Sequence, residues 1–237
     1  MTAQLHFADA GEAGDLAAFL ARLIHYDKAA AVRLQAAGDT LAVFGRPPSF
    51  EVLAIRTARL AKPYEHGIET SLDVTVSAGE LLEYVGESAD SAEHAGDAGG
   101  TGGTGDAVVP QAVTGPPWAG VLPPRGGWQP EPGLPPVGEV RQLVAAAVAE
   151  FKSRVEELPQ EQRVRAELDQ VGREIWSRTI GNTGLPVRAA HAAQALGFLR
   201  GDSLDLLSSG PWLRLRTNYG SIAVRRAGVG GLSVTPA

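Results

Sequence analysis

The chain has 237 residues, an apolar share of 44% and a net charge of −6, figures typical of a soluble globular protein with one large or two modest domains. It contains no cysteine, which removes disulfides, thiolate metal sites and cysteine nucleophiles together. No apolar run approaches the roughly 20 residues needed to cross a bilayer. The opening MTAQLHFADAGEAGDL lacks the basic start and apolar core of a signal peptide, so a cytoplasmic protein with no membrane contact is expected.

The elements follow in order. After a short apolar stretch, Leu5 to Phe7, the apolar residues Leu16, Phe19, Leu20, Leu23 and Ile24 recur at helical spacing, with Asp15 as the expected cap. AVRLQAAGDTLAVF then alternates, Val32 and Leu34 before a Gly38-Asp39 turn and Leu41 and Val43 after it, which predicts a hairpin. FEVLAIRTARL and SLDVTV predict two further strands, and Leu81, Leu82 and Val85 a short helix. Hairpin-length connections cannot serve parallel pairing, so the fold class is α+β, an antiparallel sheet with packed helices.

Residues 87–117 are acidic, rich in glycine and free of aromatic side chains, and are expected to form a disordered linker. Its GGTGGTG resembles a phosphate loop only in composition, because it lacks the preceding strand, the following helix and the lysine such a loop needs. Residues 118–136 are dominated by proline and glycine yet include Trp118 and Trp128, half of the protein's four tryptophans. A polyproline segment is already extended and loses little entropy on docking, and each indole would gain about 2–3 kcal/mol by leaving water. The stretch is therefore expected to be a strap docked on the folded body, with recognition by a partner's groove as the rival reading.

Two helical patterns follow, one through Val140, Leu143, Val144, Val148, Phe151, Val155 and Leu158, the other through Val164, Leu168, Val171 and Ile175 after Pro159. A third, alanine-rich helix is expected from Pro186 to near Leu199, and WLRLRTNYGSIAVRR alternates about Asn218-Tyr219-Gly220 as a hairpin. Residues 32–43 align without gaps on 213–224 with four identities in twelve positions, so units 1–86 and 137–237 could pack as pseudo-symmetric helix–hairpin units joined by the linker, with chance similarity between amphipathic hairpins as the rival reading.

Charge shifts along the chain. Residues 1–86 carry 7 basic and 11 acidic side chains, a balance of −4, whereas residues 138–237 carry 13 and 10, a balance of +3. In the terminal hairpin, facing Leu213, Leu215, Ile222 and Val224 toward the core puts Trp212, Arg214, Arg216 and Arg225 on the opposite side. Three guanidiniums beside an indole could grip phosphate and stack a base, against the blander reading of a solvated sheet face. The five histidines, at 6, 25, 66, 94 and 191, form no spacing suited to a metal, and no nucleophile elbow or convergent acid pair is apparent. No catalytic residue, metal or cofactor is expected.

VRLQAAGDTLAVFGRPPSFEVLAIRTARLA, VTGPPWAGVLPPRGGW and SGPWLRLRTNYGSIAVRR resemble segments of a group of proteins from GC-rich actinobacteria such as Streptomyces. The resemblance spans most of the chain outside the Gly-rich linker. It implies a cytoplasmic actinobacterial protein and brings no activity, cofactor or site residue with it. The expected function is a non-enzymatic interaction or regulatory protein with a protein partner. The alternatives are a nucleic-acid-binding regulator using the arginine hairpin, and an enzyme with its site in the cleft between the halves.

Overall fold

Alternation in the first hairpin becomes a sheet because each apolar strand position finds a helix to cover it. The computed structural model of the chain describes residues 3–66, 69–86 and 106–226. The first helix, α1, runs Ala10–Tyr26 after a short strand β1, Gln4–His6. Its Leu16, Phe19, Leu20 and Leu23 are buried, as their spacing requires, and Ile24 packs beside them partly buried. The cap is Asp9, whose carboxylate accepts from the Glu12 N–H at 2.9 Å, and not Asp15. The first turns, AGEAG, carry no large apolar residue, so periodicity alone misses them. Asp15 is instead spent on Arg56 at 3.0 Å and Arg200 at 3.5 Å.

Strands β2 (Ala31–Ala37), β3 (Thr40–Gly45), β4 (Leu53–Arg59) and β5 (Ser71–Ser77) follow, and then helix α2, residues 78–86. Gly38, at φ +59°, makes the β2–β3 turn in a backbone region that favours glycine. Residues 87–105, with the GGTGGTG motif and His94, lie outside the described residues. From residue 106 the expected linker is ordered. Strand β6, Asp106–Val108, pairs antiparallel with β1 and buries Ala107, and the Val113 N–H donates to the Thr75 carbonyl at 2.9 Å. A three-residue strand whose partner lies about 100 residues away has no local signature.

Strand β7 is Gln129–Pro130, a proline at a sheet edge where no ladder donor is needed. Helices α3 (Val137–Glu157), α4 (Arg165–Trp176) and α5 (Val187–Ala195) lead to strands β8 (Asp205–Ser209), β9 (Trp212–Thr217) and β10 (Gly220–Arg225). The α3 stripe is Val137, Val140, Val144 and Ala147, while Leu143 and Val164, expected on apolar stripes, are exposed. Strand β8, DLLSS in sequence, has adjacent leucines in place of alternation and was not legible as a strand.

The main sheet is antiparallel throughout, in the order β5-β2-β3-β4-β10-β9-β8-β7. Strands from the two halves meet at β4 and β10, where Ala223 faces Leu53 and Ser221 faces Ile55. One core runs across that seam. Leu16, Phe19 and Leu20 of α1, Val140 and Val144 of α3, Ile175 of α4 and Ala189 of α5 share it with Leu34, Val43, Leu213 and Ile222 of the sheet. Phe19 stacks on Phe198 at 5.7 Å, tying α1 to the segment after α5. The 12-residue likeness aligns β2–β3 with β9–β10, and β8 separates the second of these hairpins from its helix.

Candidate functional site

The sheet's other face carries a second, smaller core. Phe44 of β3, Leu53 and Ile55 of β4, and Trp212 and Ala223 are buried there, with Ala42, Trp118, Leu122 and Trp128 packed against them. Runs such as Ala42-Val43-Phe44 and Leu53-Ala54-Ile55 are apolar at successive positions, so they need cover on both sides. Helices supply one cover and the segment from Trp118 to Trp128 supplies part of the other.

That segment is fixed at several points. Trp118 lies in a one-turn helix, Pro117–Gly120, whose Ala119 carbonyl accepts from Arg33 Nη1. The same guanidinium donates to both Asp73 oxygens, at 2.7 and 2.8 Å, which holds the Asp73 carboxyl below its ordinary value and raises Arg33. The Trp128 indole N–H donates to the Pro124 carbonyl at 3.0 Å, curling the segment on itself. Beyond it, β7 joins β8, and Arg226 pairs with Glu131. Both tryptophans are half-buried.

The four hairpin residues do share the outer face, with Arg225 opposite Trp212 and Arg214 opposite Ala223. They do not form one basic patch. Trp212 is only 8% exposed, so its ring is closed to a stacking base. The Arg225 guanidinium lies 5.3 Å from the Trp212 ring centre, and Arg216 is paired with Asp205 at 2.9 Å. Arg214, half-buried, lies 5.6 Å from the Trp128 ring centre and donates to Ser221 Oγ at 2.8 Å. Burial, and then the neighbouring Arg216 charge, push the Arg214 guanidinium below its ordinary value.

Between strap and sheet lies a groove of about 330 Å³. Ala42, Phe44 and Ile55 supply its apolar surface, Gln35, Thr40 and Thr57 its polar lining, Pro123, Pro124 and Arg125 its strap wall, and Arg214 its inner cation. Sequence reasoning missed Phe44 and Ile55, although their unbroken apolar runs were the available signal.

A second groove, of about 480 Å³, opens on the helical side between α3 and α5, lined by Tyr26, Lys152, His191 and Gln194 among others. His191 stacks on Trp176 at 4.5 Å and meets the edge of Phe50 at 5.1 Å, and burial holds the imidazole below its ordinary value. Phe50 sits between two residues in the left-handed region, Ser49 at φ +69° and Glu51 at φ +53°. No carboxylate lines this groove to orient His191 as an acid–base group. Among the described residues no helix is long and apolar enough to cross a membrane.

The chain is of the class defined by two adjoining domain families. It belongs to the family described as domain of unknown function DUF8010, matched over residues 1–120, and residues 123–229 match the domain of unknown function DUF8185. The two matches adjoin within the strap. No curated protein matches the chain. Among solved structures it is similar to the DNA polymerase sliding clamp of Caulobacter crescentus, at 13% identity and a TM-score of 0.48, over 100% of this chain and 69% of that one. It is also similar to the DNA polymerase III subunit beta of Pseudomonas aeruginosa, at 12% identity and a TM-score of 0.45, over 95% and 64%.

Proposed function

We propose that the chain is a non-enzymatic cytoplasmic interaction module that docks a protein partner on the outer sheet face, in the groove beside the strap. The observation that carries this reading is the groove itself. A sheet face that is half covered by a pinned strap and still keeps an apolar recess of about 330 Å³ is built to take a further side chain. Trp118 and Trp128 act in it as docking residues that hold the strap, and Arg214 and Arg125 as the basic edge. A regulatory role and an actinobacterial host belong to the same reading.

Units at 1–86 and 137–237, joined by the linker and the strap, belong to the same proposal; the family matches support two units but divide the chain between residues 120 and 123. The strand order, β2-β3-β4 on one side of the seam and β10-β9-β8 on the other, supports a pseudo-twofold that matches β2 with β8 and β3 with β9, one strand out of step with the 12-residue likeness. The nucleic-acid alternative is left with less to work on, because Arg216 is paired and Trp212 is enclosed.

The test is affinity capture from a lysate, with nuclease and at two salt concentrations, by the wild-type chain and by Thr57→Trp, which fills the groove mouth from an exposed position. Capture of a partner that survives nuclease and is lost with Thr57→Trp is the expected result. Capture that vanishes with nuclease would transfer the function to the nucleic-acid reading.

A further inference from the structure

Most guanidiniums on this molecule that leave water do so beside a carboxylate. Arg33 pairs with Asp73, Arg56 with Asp15, Arg154 with Glu174 and Arg226 with Glu131. Arg22 and Arg141, which lack a carboxylate, donate to backbone carbonyls instead, and Arg214 does neither. It is half-buried, no carboxylate of the described residues pairs with it, and its one hydrogen-bond partner is the neutral Ser221 hydroxyl. Its Nε is enclosed with no acceptor among the described residues. A cation withdrawn from water without a counter-charge is costly, and the neighbouring Arg216 adds repulsion. Arg125, exposed on the strap wall of the same groove, makes no direct ion pair among the described residues, its charge reaching only as far as the Asp73 carboxyl that Arg33 already holds, and no acid lines the recess.

The recess is at the small end of ligand sites, which span about 300–1,000 Å³, so it takes a side chain or two and not a helix. Its apolar surface and its unpaired cations define complementary halves of one occupant. We infer that the groove reads an extended segment of a partner protein in which an aliphatic or aromatic side chain enters against Phe44 and Ile55 while an adjacent Asp or Glu carboxylate meets Arg214 and Arg125. The guanidinium of Arg214, already oriented by Ser221 and the Trp128 ring, receives the carboxylate with little ordering cost. This inference rests on the docking groove proposed above and adds the chemistry of what docks.

The experiment is selection of phage-displayed random dodecapeptides on the full chain, followed by fluorescence anisotropy of the synthesised winners. The expected winners place an Asp or Glu within two positions of an aliphatic or aromatic residue. Their affinity should fall about tenfold or more with Arg214→Gln, the scale of a lost charge-assisted hydrogen bond, and a few-fold with Arg125→Gln. It should also weaken with salt. Arg125 is exposed and unpaired, so Arg125→Gln decides the matter if Arg214→Gln melts early. Winners without an acid that bind both variants as well as wild type, yet are blocked by Thr57→Trp, overturn the inference and leave the groove standing. Failure to select any peptide that Thr57→Trp excludes overturns both.

Discussion

The two faces of the eight-stranded sheet are covered by different means. On the helical side, Leu34, Val43, Leu213 and Ile222 lie under α1, α3 and α5 in one core that continues across the seam between the halves. On the outer side a smaller core of Phe44, Leu53, Ile55, Trp212 and Ala223 is roofed by a single strap segment that leaves a recess. The helical cover buries the larger core, and the groove of about 480 Å³ that opens on that side lies between α3 and α5 and not over the sheet. The strap, a one-turn helix followed by a loop curled by the Trp128–Pro124 bond, covers the outer face incompletely. The proposed function thus places binding on the face opposite the one that carries most of the core.

Substitutions on each face measure that asymmetry. Phe19→Ala removes a ring that is 1% exposed and stacked on Phe198, and should cost about 3–5 kcal/mol in denaturant unfolding. At the seam, Gly220 holds φ +150° and an added Cβ would fall 2.6 Å from the Phe198 ring. Gly220→Ala should therefore cost roughly 1–3 kcal/mol by the same assay. On the outer face, Trp128→Ala removes only a half-buried ring and should cost about 1–2 kcal/mol, a fall in Tm of roughly 3–6 °C. A cost at Trp128 equal to that at Phe19 would erase the comparison.

The smallest expected effect is a pH slope from the helical side. Burial holds His191 below the ordinary 6.5, so the unfolded chain binds a proton more readily than the native one. Stability from this group is complete above pH 6.5 and is lost as pH falls from there toward the depressed native value. Thermal melts between pH 7 and 5 should lose part of their slope in His191→Gln.

The helical face was legible because alternation and 3.6-residue spacing report what one side of an element buries. Val32, Leu34, Leu41 and Val43 alternate, and each is fully buried. The outer face was legible only in its separate pieces. Trp118 and Trp128 marked a segment that would not stay in water, and the hairpin pattern put Trp212 and Arg214 on one side. Their convergence with Phe44 and Ile55 depends on β4 pairing with β10, a contact between residues more than 160 positions apart that leaves no local trace. Leu143 failed for the converse reason. Its spacing fits the stripe, but the neighbouring helices do not reach far enough round α3 to cover it.

The absence of cysteine makes the most direct test a clean one. A Cβ at Gly115 would lie 3.6 Å from that of Thr75, within disulfide reach, so Thr75→Cys with Gly115→Cys would tether the approach to the strap against β5. The measurement is partner capture by this variant, oxidised and reduced. Equal capture in both states is the predicted result, since the partner enters a groove beside a strap that stays down. Capture by the reduced form alone would contradict the account, because the strap would then have to leave the sheet and be itself the segment recognised.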